Sequence, residues 1–213
     1  MKRAERTILL LLLLVPCYAT QGQNDFREMK DPSVFIKKFR ESSCKVSTIE
    51  SGFTQEKNLN LLSETILSRG SFFFKKENRL RWEYTDPFPY LIIIRGSEIL
   101  IRDDSRETRF DSRENRIFSE VNAIILGSVK GTLFTDEKKF SSAFFENPSF
   151  YLVQLTPVGR QLKEYLTGIR IFFDKSDLTV AKLEMQEDAG DFTRIIFTGK
   201  KINKPIPDEK FAF

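Results

Sequence analysis

A mainly β fold, one wide antiparallel sheet curled around an early helix, is what this sequence predicts, and three observations predict it. Residues 70–84, GSFFFKKENRLRWEY, read as an alternating aromatic strand, a turn, and a second alternating strand that carries the only tryptophan. The same two-residue period returns from Ile49 almost to the end of the chain, in about eleven segments separated by short turns. A clear helical pattern stands early, just after Asp31 and Pro32.

The elements follow in order. Lys2, Arg3 and Arg6 precede an apolar run from Ile8 to Val15, then Pro16, Cys17, Tyr18 and Ala19, the order of a secretory signal peptide. The run is shorter than the about 20 apolar residues a membrane span needs. Cleavage is expected after Ala19, leaving a single exported domain over residues 20–213. Cys17 leaves a second reading open, a lipoprotein signal whose cysteine becomes the acylated N-terminus, although Pro16 stands where that signal wants a small residue. Past the leader only Cys44 remains, so no intramolecular disulfide is available and stability must come from burial. Losing Lys2, Arg3, Arg6 and Glu5 with the leader takes the formal charge from +4 to +2, with the signs interspersed. That pattern is a solvated surface and gives no footprint for nucleic acid.

Asp31 and Pro32 supply a cap and a first turn, and Phe35, Ile36 and Phe39 follow at helical spacing. From Ile49 the period becomes two, with Ile49, Ser51, Phe53 and Gln55 in one phase. Further strands are predicted over 62–76, 79–85, 90–95, 98–103 and 107–112. Ser119, Val121, Ile124, Ile125 and Val129 then fit one or two helical turns around Gly127, with Gly131 to Phe134 as loop. This segment reads either as core or as a movable lid. Strands resume over 139–145, 149–156, 164–174, 178–187 and 191–202. Short turns between neighbours imply a meander, and a sheet of that width curled around one helix leaves a concave apolar face larger than the helix fills.

Composition narrows the chemistry. The chain has 21 Phe and no His. Without histidine the commonest general base, the commonest metal ligand and the usual partner of a nucleophilic serine are missing. No phosphate loop, Cys-x-x-Cys pair, zincin or kinase signature is present. Asp103 and Asp104 are adjacent, face opposite ways on a strand, and read as a turn before Ser105. Binding is therefore favoured over catalysis, with no catalytic residue, metal or cofactor assigned. In the hairpin, Gly70, Phe72, Phe74 and Lys76 share one face with Leu80, Trp82 and Tyr84, while Arg79, Arg81 and Glu83 take the other. That aromatic face is either ordinary core or, if open, a site for a greasy ligand.

An ordered set of segments carries a family resemblance: FTQE at Phe53–Glu56, GSFFFKKEN at Gly70–Asn78, RWEYTDP at Arg81–Pro87, LIIIRGSEILIRDD at Leu91–Asp104, LTP at Leu155–Pro157 and KFAF at Lys210–Phe213. The chain resembles the LolA family of periplasmic lipoprotein carriers of Gram-negative bacteria over nearly the whole mature length. The resemblance implies an unclosed β-barrel covered by helices that act as lid or plug, with an apolar cavity for acyl chains. It implies acylated lipoproteins as cargo, an inner-membrane ABC transporter that loads them, an outer-membrane acceptor, and a monomeric carrier in the periplasm. Phe53, Phe72, Phe74, Leu80, Trp82 and Tyr84 are the expected cavity residues. Better-known carriers have a lid-latching arginine at the end of the first hairpin strand, where gapless alignment places Lys76; either the latch is weaker here or Arg79 or Arg81 substitutes. The sequence also stops at Phe213, where better-known carriers continue. Two alternatives stand beside this reading: an anchored acceptor or lipid sensor of the same fold, and an exported lipid hydrolase using carboxylates.

Overall fold

The computed structural model describes residues 25–60, 63–114, 126–127, 129, 138–187 and 190–213. The expected leader and most of the segment 119–134 lie outside the described residues.

The described residues form one sheet of twelve strands. These are β1 (Arg27–Glu28), β2 (Thr48–Leu59), β3 (Glu64–Lys75), β4 (Arg79–Asp86), β5 (Tyr90–Arg95), β6 (Glu98–Arg102), β7 (Glu107–Asp111), β8 (Phe140–Glu146), β9 (Phe150–Pro157), β10 (Gly168–Asp174), β11 (Val180–Gln186) and β12 (Phe192–Ile202). Their order across the sheet is β1-β8-β9-β10-β11-β12-β2-β3-β4-β5-β6-β7, and the neighbours run antiparallel. Two meanders are thus zipped together by the long β12–β2 pair, with β1 and β7 as unjoined edges; the barrel is unclosed. Eleven strands are the predicted ones, and the twelfth, β1, is two residues long and too short to display a period. The strand expected over 164–174 starts at Gly168, because Arg160–Lys163 wind into one helical turn, α2. Asp103 makes the predicted turn: its carboxylate accepts hydrogen bonds from the Ser105 N–H and hydroxyl and from the Arg106 N–H, which hold its pKa below the usual range.

Helix α1 (Ser33–Lys45) lies against the inner face and buries Phe35 and Phe39. The helix begins just after Pro32, which stands at the N-cap position, one residue later than the expected Asp31; Asp31 still accepts a hydrogen bond from the Ser33 N–H at 2.9 Å. The Phe35 ring lies tilted 4.5 Å from Tyr151 and Phe39 lies 4.6 Å from Phe173, which anchors α1 on the β9–β10 side. Its C-terminal end is tied from the opposite side. Asn203 donates to the Lys45 carbonyl at 3.1 Å and accepts from the Ser47 N–H at 2.7 Å. Carbonyls orphaned at a helix end need such donors.

The outer face is covered over β3–β6 by the last residues of the chain. Ile206 and Phe211 pack on Phe73, and Phe213 packs on Leu91, Ile93 and Leu100. Asp208 ties this tail to Lys75 and, at 2.7 Å, to Arg79. Strands buried on both faces lose the apolar and polar alternation. The runs Phe72-Phe73-Phe74 and Leu91-Ile92-Ile93-Ile94 are its sequence trace. Farther along the outer face a buried carboxylate, Glu184, is held by Arg194 at 3.0 Å, Lys182 at 3.1 Å and Arg170 at 3.1 Å. Burial raises its pKa, but the hydrogen bonds from Lys182 and Arg194 outweigh that and leave the group below its ordinary value.

Candidate functional site

The inner face is built by strand register. Gly70 pairs with Tyr84, Phe72 with Trp82 and Phe74 with Leu80, while Phe53 of β2 lies opposite Gly70. Alternation therefore delivers all six expected cavity residues to the face that α1 covers. Phe53, Phe72, Phe74, Leu80 and Trp82 are each at most 5% exposed, and Tyr84 is half-buried against the same cluster. Their rings meet edge to face: Phe53 with Trp82 at 5.1 Å, Phe53 with Tyr84 at 5.0 Å and Phe72 with Trp82 at 5.2 Å. Each such pair adds about 0.5–1.5 kcal/mol beyond area burial. Gly70 makes the arrangement possible. A Cβ there would stand 1.9 Å from the Glu83 carbonyl oxygen and 2.9 Å from the Phe53 ring, at the register shift between Arg69 and Gly70.

A cavity of about 50 Å³ opens between α1 and this face. Phe39 and Ser43 of α1 form one wall, and Phe72, Trp82, Leu183 and Phe197 the other. Val129, Leu178 and the polar residues Ser51 and Lys200 also line it. Of the six expected residues, Phe72 and Trp82 line the cavity; Phe53, Phe74, Leu80 and Tyr84 belong to the same buried cluster outside its wall. Ligand sites for drug-sized molecules run to about 300–1,000 Å³. The space is therefore right in chemistry but too small for a long chain, because α1 occupies the concavity.

The polar groups around it are mostly paired. Lys200 donates to the Thr179 hydroxyl at 2.7 Å and lies 2.9 Å from the Asp177 carboxylate. Tyr84 donates to Gln55 Oε1 at 2.9 Å. Burial, with a smaller contribution from Tyr90, pushes the Tyr84 pKa up to about 12, so this phenol is an uncharged donor throughout the physiological range.

Lys76 follows β3 directly, in phase with its inner row, and donates its ammonium to the Cys44 carbonyl in the last turn of α1. A cation there also meets the negative end of the helix dipole. Arg79 and Arg81 cannot stand in for it, since both lie on the outer face, where Arg79 holds Asp208 and Arg81 holds Glu83 at 2.9 Å. The sequence reading missed the cavity contributions of Phe39, Ser51, Leu183, Phe197 and Lys200. One signal for them was present: Ser51 is the polar member of an otherwise apolar inward phase between Ile49 and Phe53.

Comparison with known proteins agrees with this architecture. The outer-membrane lipoprotein carrier protein of Methylococcus capsulatus is 22% identical over 210 residues, covering 99% of this chain and 93% of its own. That of Legionella pneumophila is 25% identical over 150 residues, 70% of this chain and 71% of its own. Among solved structures, an uncharacterized conserved protein from Thermus thermophilus superposes with a TM-score of 0.52 at 9% identity, covering 86% of this chain and 94% of that one. MucB in complex with MucA from Pseudomonas aeruginosa gives the same TM-score of 0.52 at 13% identity, over 86% of this chain and 61% of that one. At such identities the two structures speak for the fold alone. The family described as outer membrane lipoprotein carrier protein LolA matches residues 44–213, which takes in the aromatic hairpin, the cavity strands and the tail, and this chain belongs to that family.

Proposed function

We propose that the protein is a carrier that takes acyl chains of lipoproteins into the cavity beneath α1 and ferries them across the periplasm from the inner to the outer membrane. Loading falls to an inner-membrane ABC transporter and unloading to an outer-membrane acceptor. The observation that carries this reading is an apolar cavity placed between a helix and a continuous aromatic face. Burial of acyl chain is worth about 0.8 kcal/mol per CH₂, so a long chain brings on the order of 10 kcal/mol. That suffices to displace α1 from part of the concavity, and edge-to-face rings tolerate chains of different shape. The family membership and the absence of histidine and of nucleophile motifs favour binding without turnover.

The single tryptophan is the built-in test. Titrating the delipidated protein with a diacylated lipopeptide should give a saturable shift in Trp82 emission, lost in Phe72→Glu. Absence of any saturable binding would remove the carrier reading, and steady hydrolysis of the lipopeptide would replace it with an enzyme.

Lys76 is proposed as the latch, acting on the C-terminal turn of α1. Lys76→Leu should change the rate of cargo transfer to acceptor-bearing membranes several-fold while shifting the melting temperature little; an exposed cation at a helix end is worth about 0.3–1 kcal/mol. Lys76→Arg should transfer as the parent does. Unchanged transfer in Lys76→Leu would reduce the residue to a helix cap. N-terminal sequencing of the exported protein should begin at Thr20, and a diacylated Cys17 would point instead to the anchored acceptor.

A further inference from the structure

Two buried polar groups on the inner face have no hydrogen-bond partner among the described residues: the Ser51 hydroxyl and the Trp82 indole N–H. Ser51 is 3% exposed and Trp82 5%, and both line the cavity. They share one rung of the sheet, Ser51 opposite Phe72 and Phe72 opposite Trp82, on β2, β3 and β4. Two strand spacings of about 4.8 Å separate their backbones, and the long indole shortens that gap.

Buried donors are ordinarily satisfied, because leaving one unmade forfeits its hydration for nothing. The other polar groups beside the cavity obey this rule: Lys200 with Asp177 and Thr179, Tyr84 with Gln55, and Ser43 with the Arg40 carbonyl. The exceptions lie together, on one rung, facing the apolar space. An occupant that completes them must be mainly hydrocarbon, must bring acceptor oxygens, and must bring no charge, since Lys200 is already neutralised. An ester-linked acyl group meets all three conditions. A hydrocarbon or an ether-linked chain of equal length fills the same volume but supplies at most a weak acceptor.

We propose that Ser51 and Trp82 form a donor rung that receives the ester carbonyl oxygens of the cargo, so that the cavity selects ester-linked acyl chains over alkyl chains of the same length. The proposal rests on the acyl-binding reading above. The ester can come from the diacylglyceryl group of a lipoprotein or from a phospholipid, and the chemistry of the rung is the same for both.

Four probes test it by calorimetry on the full mature chain: a diacylglyceryl lipopeptide, its dialkyl-ether analogue, a diacyl phospholipid below its aggregation concentration, and the corresponding dialkyl phospholipid. The parent protein should bind the ester member of at least one pair about tenfold or more tightly than the ether member. Whichever ester binds more tightly identifies the source. Ser51→Ala and Trp82→Phe should each bring the ester-to-ether affinity ratio toward one, the ratio being read within each variant, and Ser51→Ala should melt at or above the parent temperature, because it deletes an unmatched hydroxyl. A fall in the Ser51→Ala melting temperature would mean that the hydroxyl is paired within the fold, and would overturn the rung. Equal affinities for ester and ether in the parent, or a preference that survives in both variants, would also overturn it while leaving acyl binding intact. If none of the four probes binds, the carrier reading falls and the rung with it.

Discussion

Gly70→Ala is expected to cost about 3 kcal/mol or more of unfolding free energy, the upper range for overpacking a tight site. In a domain of this size that lowers the melting temperature by roughly 6–12 °C. The new methyl carbon would meet the Glu83 carbonyl oxygen at 1.9 Å and the Phe53 ring at 2.9 Å. The first neighbour is backbone, held by the β3–β4 and β4–β5 ladders, and cannot swing aside as the end of a flexible side chain would. Gly96 is the control. Its φ of +65° favours glycine, yet nothing lies within 4 Å of its would-be Cβ. Gly96→Ala should therefore cost only the backbone preference, about 1–2 kcal/mol. Urea unfolding of the two variants beside the parent checks both values, and a neutral Gly70→Ala would mean that the strands do not approach as described.

Phe39→Ala is expected to move stability and binding in opposite directions. Phe39 is 1% exposed, meets Phe173 at 4.6 Å and lines the cavity. Truncating a buried phenylalanine costs about 3–5 kcal/mol. The volume it vacates adjoins the existing cavity, so an acyl probe should enter the variant faster and bind more tightly than the parent, and saturating probe should restore part of the lost stability by mass action. Phe35→Ala separates the two effects. Phe35 is equally buried and lies 4.5 Å from Tyr151, but it is not part of the cavity wall. It should lose comparable stability without the gain in binding. Thermal melts with and without a diacylated lipopeptide report both quantities, and parallel behaviour of the two variants would show that α1 does not gate the space.

Periodicity carried most of the fold into view. Phe72, Phe74, Leu80, Trp82 and Tyr84 were legible as one face because strand side chains alternate and the β3–β4 turn is short, which left the register little freedom. Four things were not legible. The two-residue β1 is too short to show any period, and its pairing with β8 joins positions distant in sequence. The burial of Phe73 and Ile93 depends on a tail more than a hundred residues later, and local alternation carries no information about that layer. The cavity wall also draws on α1, β11 and β12 together, so membership depends on curvature, which no local pattern specifies. Lys76 was found at the end of the inner row, but its partner, the Cys44 carbonyl, is a backbone group that no sequence motif marks.

The tail across β3–β6 has a consequence for the timescale of the carrier's work. Amides of strands sealed on both faces exchange with solvent only when the whole domain opens, whereas margins covered on one face open locally at far lower free energy. Phe73, Leu91, Ile93 and Leu100 put the middle of β3, β5 and β6 in the first class. The β1–β8 margin ends in a two-residue strand, so few ladder hydrogen bonds hold its edge and it should open locally at lower free energy. The proposed shuttling would draw on one half that yields to cargo and one half that keeps the register. Deuterium uptake should divide the sheet along that line, slow and global in β3–β6, fast and local toward β1, so that one margin can loosen while the other keeps the memory of the fold.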